Sequence, residues 1–352
     1  MNEKTLSMFN CVRVHDGTDP QGVARFDFST NSNALGACPY VLAAVKAAHC
    51  QAYPDPAYTE LRAELAAWHG VSAERIVLAG SASEFIFRMS VATALVGRRS
   101  KRTKAMWCEP HSYGDYRAAA LATGLELALS QDAADLIWIC DPSSPLGQAY
   151  AGWTLLFSQL SLPDFIDTQI VLDCAYQPLR LEGKLGLSEA QLDRVWQMWT
   201  PNKALGLTGV RGAYVIAPKF GAEHWRTRLE VLAPSWVLGS HAVAMLSAWV
   251  RPETQLWLQH SVMILRDWKV EQRERMVNLG WQVHPSVSNF FCVTPPMAMN
   301  VDSETLLARL REAGIKLRDT SSFGLPGSFR MAVLPPEAQE AMVKELRRIS
   351  SI

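Results

Sequence analysis

The chain has 352 residues, more than one hydrophobic core usually accommodates, so a large domain with a smaller companion is expected. Its 34 Lys and Arg balance its 34 Asp and Glu, which argues against nucleic-acid wrapping and against a polybasic membrane surface and leaves a small molecule as the expected ligand. Seven cysteines (Cys11, Cys38, Cys50, Cys108, Cys140, Cys174, Cys292) form no CxxC pair and sit in apolar stretches, the usage of free thiols in a reducing compartment, so a cytoplasmic location is expected.

In chain order, residues 1–16 carry no apolar run of signal-peptide length, and no later segment reaches the ~18 uninterrupted apolar residues of a membrane helix. From about residue 70 to 220, short β-rich runs alternate with longer amphipathic stretches, the pattern of a parallel sheet with crossover helices. Strands are predicted at residues 75–78, 104–108, 135–140, 169–173, 194–199 and 212–217. Several end in turn or polar residues (Gly80-Ser81, Glu109-Pro110, Asp141-Pro142, Asp173), and ligands of open α/β sheets bind beyond the carboxyl ends of strands. Residues 223–283 read as mostly helical, with one long helix. Beyond Pro285 come a strand at 290–294, a helix at 303–313, strands at 315–318 and 329–334 and a closing helix from Pro336, a small α+β domain. The eight histidines show no metal-ligand spacing, only His111 has suggestive neighbours, and no metal is expected.

Four segments carry candidate chemistry. Thr200-Pro-Asn-Lys203-Ala-Leu-Gly-Leu-Thr-Gly-Val-Arg211 places a lysine in a loop after a strand, with an arginine eight residues on. A partly buried lysine with cationic neighbours is a carbonyl-directed nucleophile, and Arg211 fits a phosphate clamp; a surface lysine and arginine fit the spacing as well. Leu78-Ala-Gly-Ser-Ala-Ser-Glu84 runs from a strand into an amphipathic helix, so the N–H groups near Ala82 and Ser83 could hold a phosphate or simply begin a helix. Val171-Leu-Asp173-Cys-Ala-Tyr176 puts a carboxylate at a buried strand end, where a protonated pyridine nitrogen, or else a cap or loop ion pair, would offset its charge. Cys140-Asp-Pro-Ser-Ser-Pro-Leu-Gly147 is a proline-fixed turn after another strand.

Taken in order, these segments and a final Leu325-Pro-Gly-Ser-Phe-Arg330 resemble the class I/II aminotransferase family of fold-type I pyridoxal-5'-phosphate (PLP) enzymes, nearest its histidinol-phosphate aminotransferase and threonine-phosphate decarboxylase branches. The resemblance runs from about Phe26 to the C-terminus. It implies an α/β fold with a mostly parallel large-domain sheet and a small α+β C-terminal domain. The implied division is an N-terminal segment at 1–40 packing on the small domain, a PLP-binding domain at 41–255 and the small domain at 256–352. It also implies that Lys203 carries the cofactor and its protons, that Asp173 pairs with the ring nitrogen and that Tyr176 reaches the phenolic oxygen. Ala82, Ser83, Thr200, Asn202 and Arg211 would surround the phosphate, Asn202 standing where the family usually has Ser. Tyr113 would stack on the ring, and Tyr53 would reach the phosphate of a neighbouring subunit, making a homodimer. Arg330 would hold a substrate anion, with Arg318 and Gly36 at the same substrate site.

One departure stands out. Where the family writes Asn-Pro-Asn-Asn-Pro-Thr-Gly, this chain has Asp141-Pro-Ser-Ser144-Pro-Leu-Gly147, so the asparagine facing the phenolic oxygen becomes the shorter Ser144. The expected activity is transamination of a small phosphorylated or carboxylate-bearing amino compound. The runner-up is the threonine-phosphate decarboxylase chemistry of cobalamin synthesis, which the stretches 26–36 and 318–330 resemble. A non-catalytic binding protein on the same scaffold is the third reading, favoured by Ser144 and Asn202 and opposed by Lys203, Asp173, Tyr176, Arg211 and Arg330.

Overall fold

A computed structural model describes residues 17–97, 103–159, 167–299 and 301–350; Cys11 and the rest of residues 1–16 lie outside the described residues. A short opening strand, β1 (Phe26–Asp27), precedes the strands of a seven-stranded sheet. These are β2 (Ile76–Ala79), β3 (Ala105–Cys108), β4 (Glu126–Leu127), β5 (Leu136–Cys140), β6 (Gln169–Asp173), β7 (Trp196–Trp199) and β8 (Ala213–Ile216). Their spatial order is β2-β8-β7-β6-β5-β3-β4; β8 runs antiparallel to both neighbours and the other pairs are parallel.

The central strands are apolar along their length because helices cover both faces of the sheet. In β5, Leu136 and Trp138 pack with Met106, Val171 and Met198 on one face, while Ile137 and Ile139 pack with Ile170, Leu172 and Leu156 on the other. Two helices complete the first face: α1 (Ala82–Gly97), which follows β2, and α2 (Gly114–Thr123), which follows β3. They contribute Phe85, Ile86 and Met89 and Tyr116, Ala119 and Ala120 respectively.

The long helix is α3 (Pro252–Asn278). It leads into β9 (Gln282–Val283), β10 (Phe290–Thr294), α4 (Ser303–Glu312), β11 (Ile315–Lys316), β12 (Arg318–Asp319), β13 (Phe329–Ala332) and the closing helix α5 (Pro336–Ser350). A four-stranded sheet orders these strands β12-β13-β10-β9. The single strand expected at 315–318 is two strands, because the chain changes partners at Leu317. Ile315 and Lys316 pair in parallel with Phe26 and Asp27, whereas Arg318 and Asp319 pair antiparallel with Arg330 and Phe329. That change places Arg318 directly opposite Arg330. No helix among the described residues is long and apolar enough to cross a membrane.

Candidate active site

Strand ends dictate where the chemistry collects. The register of β5 and β6 puts Cys140 beside Asp173, and β7 delivers Thr200, Asn202 and Lys203 to the same edge. There a cavity of about 250 Å³ is lined by Ala82, Ser83, Tyr113, Ser144, Asp173, Tyr176, Thr200, Asn202, Lys203, Arg211, Arg318 and Arg330. Residues from six separate stretches of chain thus meet at one concavity, as a ligand site at the carboxyl ends of strands requires.

Lys203 donates from Nζ to the Tyr176 hydroxyl at 2.7 Å, and the ammonium lies 4.1 Å from the centre of that ring. Its backbone is pinned as well: the Lys203 carbonyl accepts from Asn33 N–H at 2.9 Å and Gly206 N–H at 3.2 Å. Gly206 has φ +66°, and a Cβ there would fall 2.0 Å from the Gly36 carbonyl oxygen, so only glycine fits this loop. Gly36, expected at the substrate, packs its carbonyl against this loop and is not among the described residues lining the cavity.

Asp173 is only 4% exposed. Its Oδ2 accepts from the Tyr116 hydroxyl at 2.5 Å and its Oδ1 from the Ala175 N–H at 2.9 Å. Both donors are neutral. Burial pushes the Asp173 carboxyl above its ordinary range, opposed by the Tyr116 and Ala175 hydrogen bonds and by the more distant charge of Lys203. A buried carboxylate whose hydrogen-bond donors among the described residues are both neutral fits a ligand that brings a positive N–H of its own, as a protonated pyridine does.

Helix α1 begins at Ala82, so the N–H groups of Ala82 and Ser83 have no carbonyl to bond within the helix. Ser81 uses its hydroxyl to cap Glu84 N–H at 3.1 Å and leaves those two amides to the cavity. With Thr200, Asn202 and Arg211 they form a donor-rich wall suited to a phosphate. Tyr113 is held by its hydroxyl, which donates to Asp115 Oδ2 at 2.9 Å and lies 3.2 Å from Ser83 Oγ. Arg330 donates to the Ser29 carbonyl at 2.9 Å and to Ser144 Oγ at 3.3 Å, so the serine of the altered turn touches Arg330. Arg318 donates to Ser322 Oγ at 2.9 Å. Tyr53 lies outside the described lining of this cavity; it is 77% exposed and stacks on Trp236 with ring centres 4.3 Å apart.

Several residues of the site escape a reading of the sequence. Tyr116 stands three positions after Tyr113, a helical spacing that brings two side chains to one side, and that spacing was the available signal. Asn31, whose Nδ2 donates to the Tyr176 hydroxyl at 3.3 Å across 145 residues, had no such signal. Phe323 and Ser322 follow Arg318 closely in sequence, yet their place in the cavity wall depends on a short helical turn at Ser321–Phe323.

A strand-end crevice on a mostly parallel sheet, with a second sheet closing over it, defines a large class of α/β enzymes. The aminotransferase class I and II family matches residues 108–348, and the chain belongs to that family. It is accordingly a PLP-dependent aminotransferase. A histidinol-phosphate aminotransferase of Rhodopseudomonas palustris (strain BisB5) is 24% identical over 346 residues, 92% of this chain and 90% of the relative. Among solved structures, histidinol-phosphate aminotransferase from Sinorhizobium meliloti in complex with PLP superposes with a TM-score of 0.76 at 18% identity, covering 93% of this chain and 91% of that one. L-threonine-O-3-phosphate decarboxylase from Porphyromonas gingivalis gives a TM-score of 0.75 at 20% identity, covering 92% and 99%. At these identities the two structures establish the fold.

Proposed function

We propose that this chain transaminates a small amino compound bearing two anionic groups or one bulky phosphate, as a histidinol-phosphate aminotransferase does. The carrying observation is the arginine pair. Arg318 and Arg330 are Cα partners across β12 and β13, both line the cavity, and their guanidinium carbons lie 5.0 and 5.7 Å from the centre of the same Phe323 ring. Packing against the same aromatic ring keeps two forks at one place, and two forks suit either two carboxylates or the several oxygens of a phosphate.

When bound, PLP supplies the electron sink that allows a bond at the substrate α-carbon to break. The chain does the rest. Lys203 holds the cofactor, and its Nζ takes and returns the α-proton, with Tyr176 as its hydrogen-bonded neighbour. Asp173 balances charge on the ring nitrogen, Tyr113 and Ser144 bound the ring, and Ala82, Ser83, Thr200, Asn202 and Arg211 hold the phosphate. A second copy of the chain completes the site with Tyr53, whose exposed ring is held by Trp236, itself anchored through Nε1 to the Pro54 carbonyl at 3.1 Å.

A substrate panel tests the reading. Phosphorylated and dicarboxylic amino compounds should exceed neutral amino acids in kcat/KM, and Arg330→Ala should cost ~2–4 kcal/mol in transition-state binding. Arg318→Ala should impair anionic substrates and spare neutral ones. A preference for aliphatic amino acids would overturn the two-fork reading, and carbon dioxide released in step with turnover would replace transamination by decarboxylation.

A further inference from the structure

We propose that Tyr116 is a positioning residue that holds negative charge on Asp173 and thereby keeps the proton of a bound pyridine ring on the ring nitrogen. The inference rests on the reading of Asp173 as the partner of that nitrogen and extends it to a residue behind the site. Tyr116 is 1% exposed, and its hydroxyl donates to Asp173 Oδ2 at 2.5 Å, a short contact even for a hydroxyl on a carboxylate. The ring has no freedom to leave. It stacks on Trp138 at 5.0 Å with 12° between planes and meets Tyr113 edge-on at 5.8 Å and 88°.

The chemistry follows from which of two bases holds a shared proton. A carboxylate and a pyridine nitrogen in a dry site compete for it, and each donor on the carboxylate weakens that competitor. Burial works the other way, raising the basicity of Asp173, and the Tyr116 hydrogen bond is the largest of the effects that oppose burial. Tyr116 remains a neutral donor because burial and the adjacent carboxylate push its own ionisation well above the ordinary phenol range. Its hydroxyl therefore biases the proton toward the ring, where positive charge is needed to draw electrons from the substrate.

Tyr116→Phe preserves the ring stack and removes one oxygen. The measurement is nitrogen-15 NMR of holoenzyme loaded with ring-labelled PLP at neutral pH, with thermal melting as the fold control. The wild-type resonance should sit at the protonated position and that of Tyr116→Phe should move toward the unprotonated one. Turnover should fall about tenfold with KM changed by less than about twofold. Should Tyr116→Phe fold poorly, 3-fluorotyrosine at 116 is the second probe: it retains the hydroxyl as a stronger donor and should shift the resonance further toward the protonated position. A protonated wild type with no shift in a folded variant overturns the role of Tyr116 and leaves Asp173 as read. An unprotonated wild type overturns both.

Discussion

Two buried aspartates end or follow neighbouring strands and meet opposite fates. Asp141, just past β5, is 1% exposed; it is ion-paired with Arg180 and accepts from Trp153 Nε1 at 2.9 Å. Asp173, at the end of β6, is 4% exposed, and among the described residues its carboxylate accepts hydrogen bonds only from the Tyr116 hydroxyl and the Ala175 N–H. One carboxylate has its charge offset inside the fold. The other is oriented but not neutralised, and it faces the cavity. Buried charges without a cationic partner are costly to keep, so the contrast sets a structural acid beside one that the proposed function assigns to a ligand.

Asp173→Asn should give the larger effect. Turnover should drop at least ~100-fold while some PLP is retained, because the phosphate wall is built from other segments. Stability should respond in the opposite sense. A carboxyl whose folded pKa is raised stabilises the fold fully below its unfolded pKa and loses that contribution as pH rises through the folded value; Asp173 is such a group. At neutral pH the cofactor-free Asp173→Asn protein should therefore melt no lower than wild type. Near-normal turnover, or a large fall in melting temperature, would make Asp173 a second Asp141.

Asp141→Asn should reverse the pattern. It leaves Arg180 buried beside a neutral amide, and removing one member of such a pair costs about 3 kcal/mol in denaturant or thermal unfolding. Turnover per folded molecule should stay within about threefold of wild type. Adding Arg180→Gln should restore part of the lost stability. If Asp141→Asn instead abolishes turnover without destabilising the protein, the contrast between the strand ends collapses.

The sequence displayed Asp173 because a strand end of an α/β sheet announces itself by a polar residue closing an apolar run, whereas Lys203 and Arg211 were legible through their spacing in the loop between β7 and β8 and through the family resemblance. It also displayed the change from the family's asparagine to Asp141, but not its compensation. Arg180 lies 39 residues further on, just after the short helical turn Gln177–Leu179, in a stretch with no periodic signal, and only tertiary packing joins the two. Residues 315–318 were legible as extended chain. Their division between β1 and β13 was not, because alternation specifies which way side chains point and not which strand is the partner. Tyr116 was hidden differently. Its aromatic ring fits the apolar face of α2, and nothing local distinguishes a phenol packed for its ring from one placed for its hydroxyl.

The smallest expected effect belongs to Ser144, three residues past Asp141 in the same turn. Its Oγ accepts from Arg330 Nη1 at 3.3 Å, near the long limit for a hydrogen bond, while the Ser29 carbonyl holds the other arm of the fork at 2.9 Å. Ser144→Ala thus removes a long hydrogen bond from a side chain that Phe290 and Phe323 also flank, with ring centres 5.6 and 5.7 Å from the guanidinium carbon. KM for an anionic substrate should rise about threefold and kcat should stay level, the signature of a small loss in uniform binding. Ser144→Asn offers a longer side chain and both donor and acceptor atoms, so it should match or improve on the wild-type KM. A fall in kcat for Ser144→Ala with KM unchanged would show that the hydroxyl serves the reacting centre and not Arg330, and the turn after β5 would then carry chemistry as well as structure.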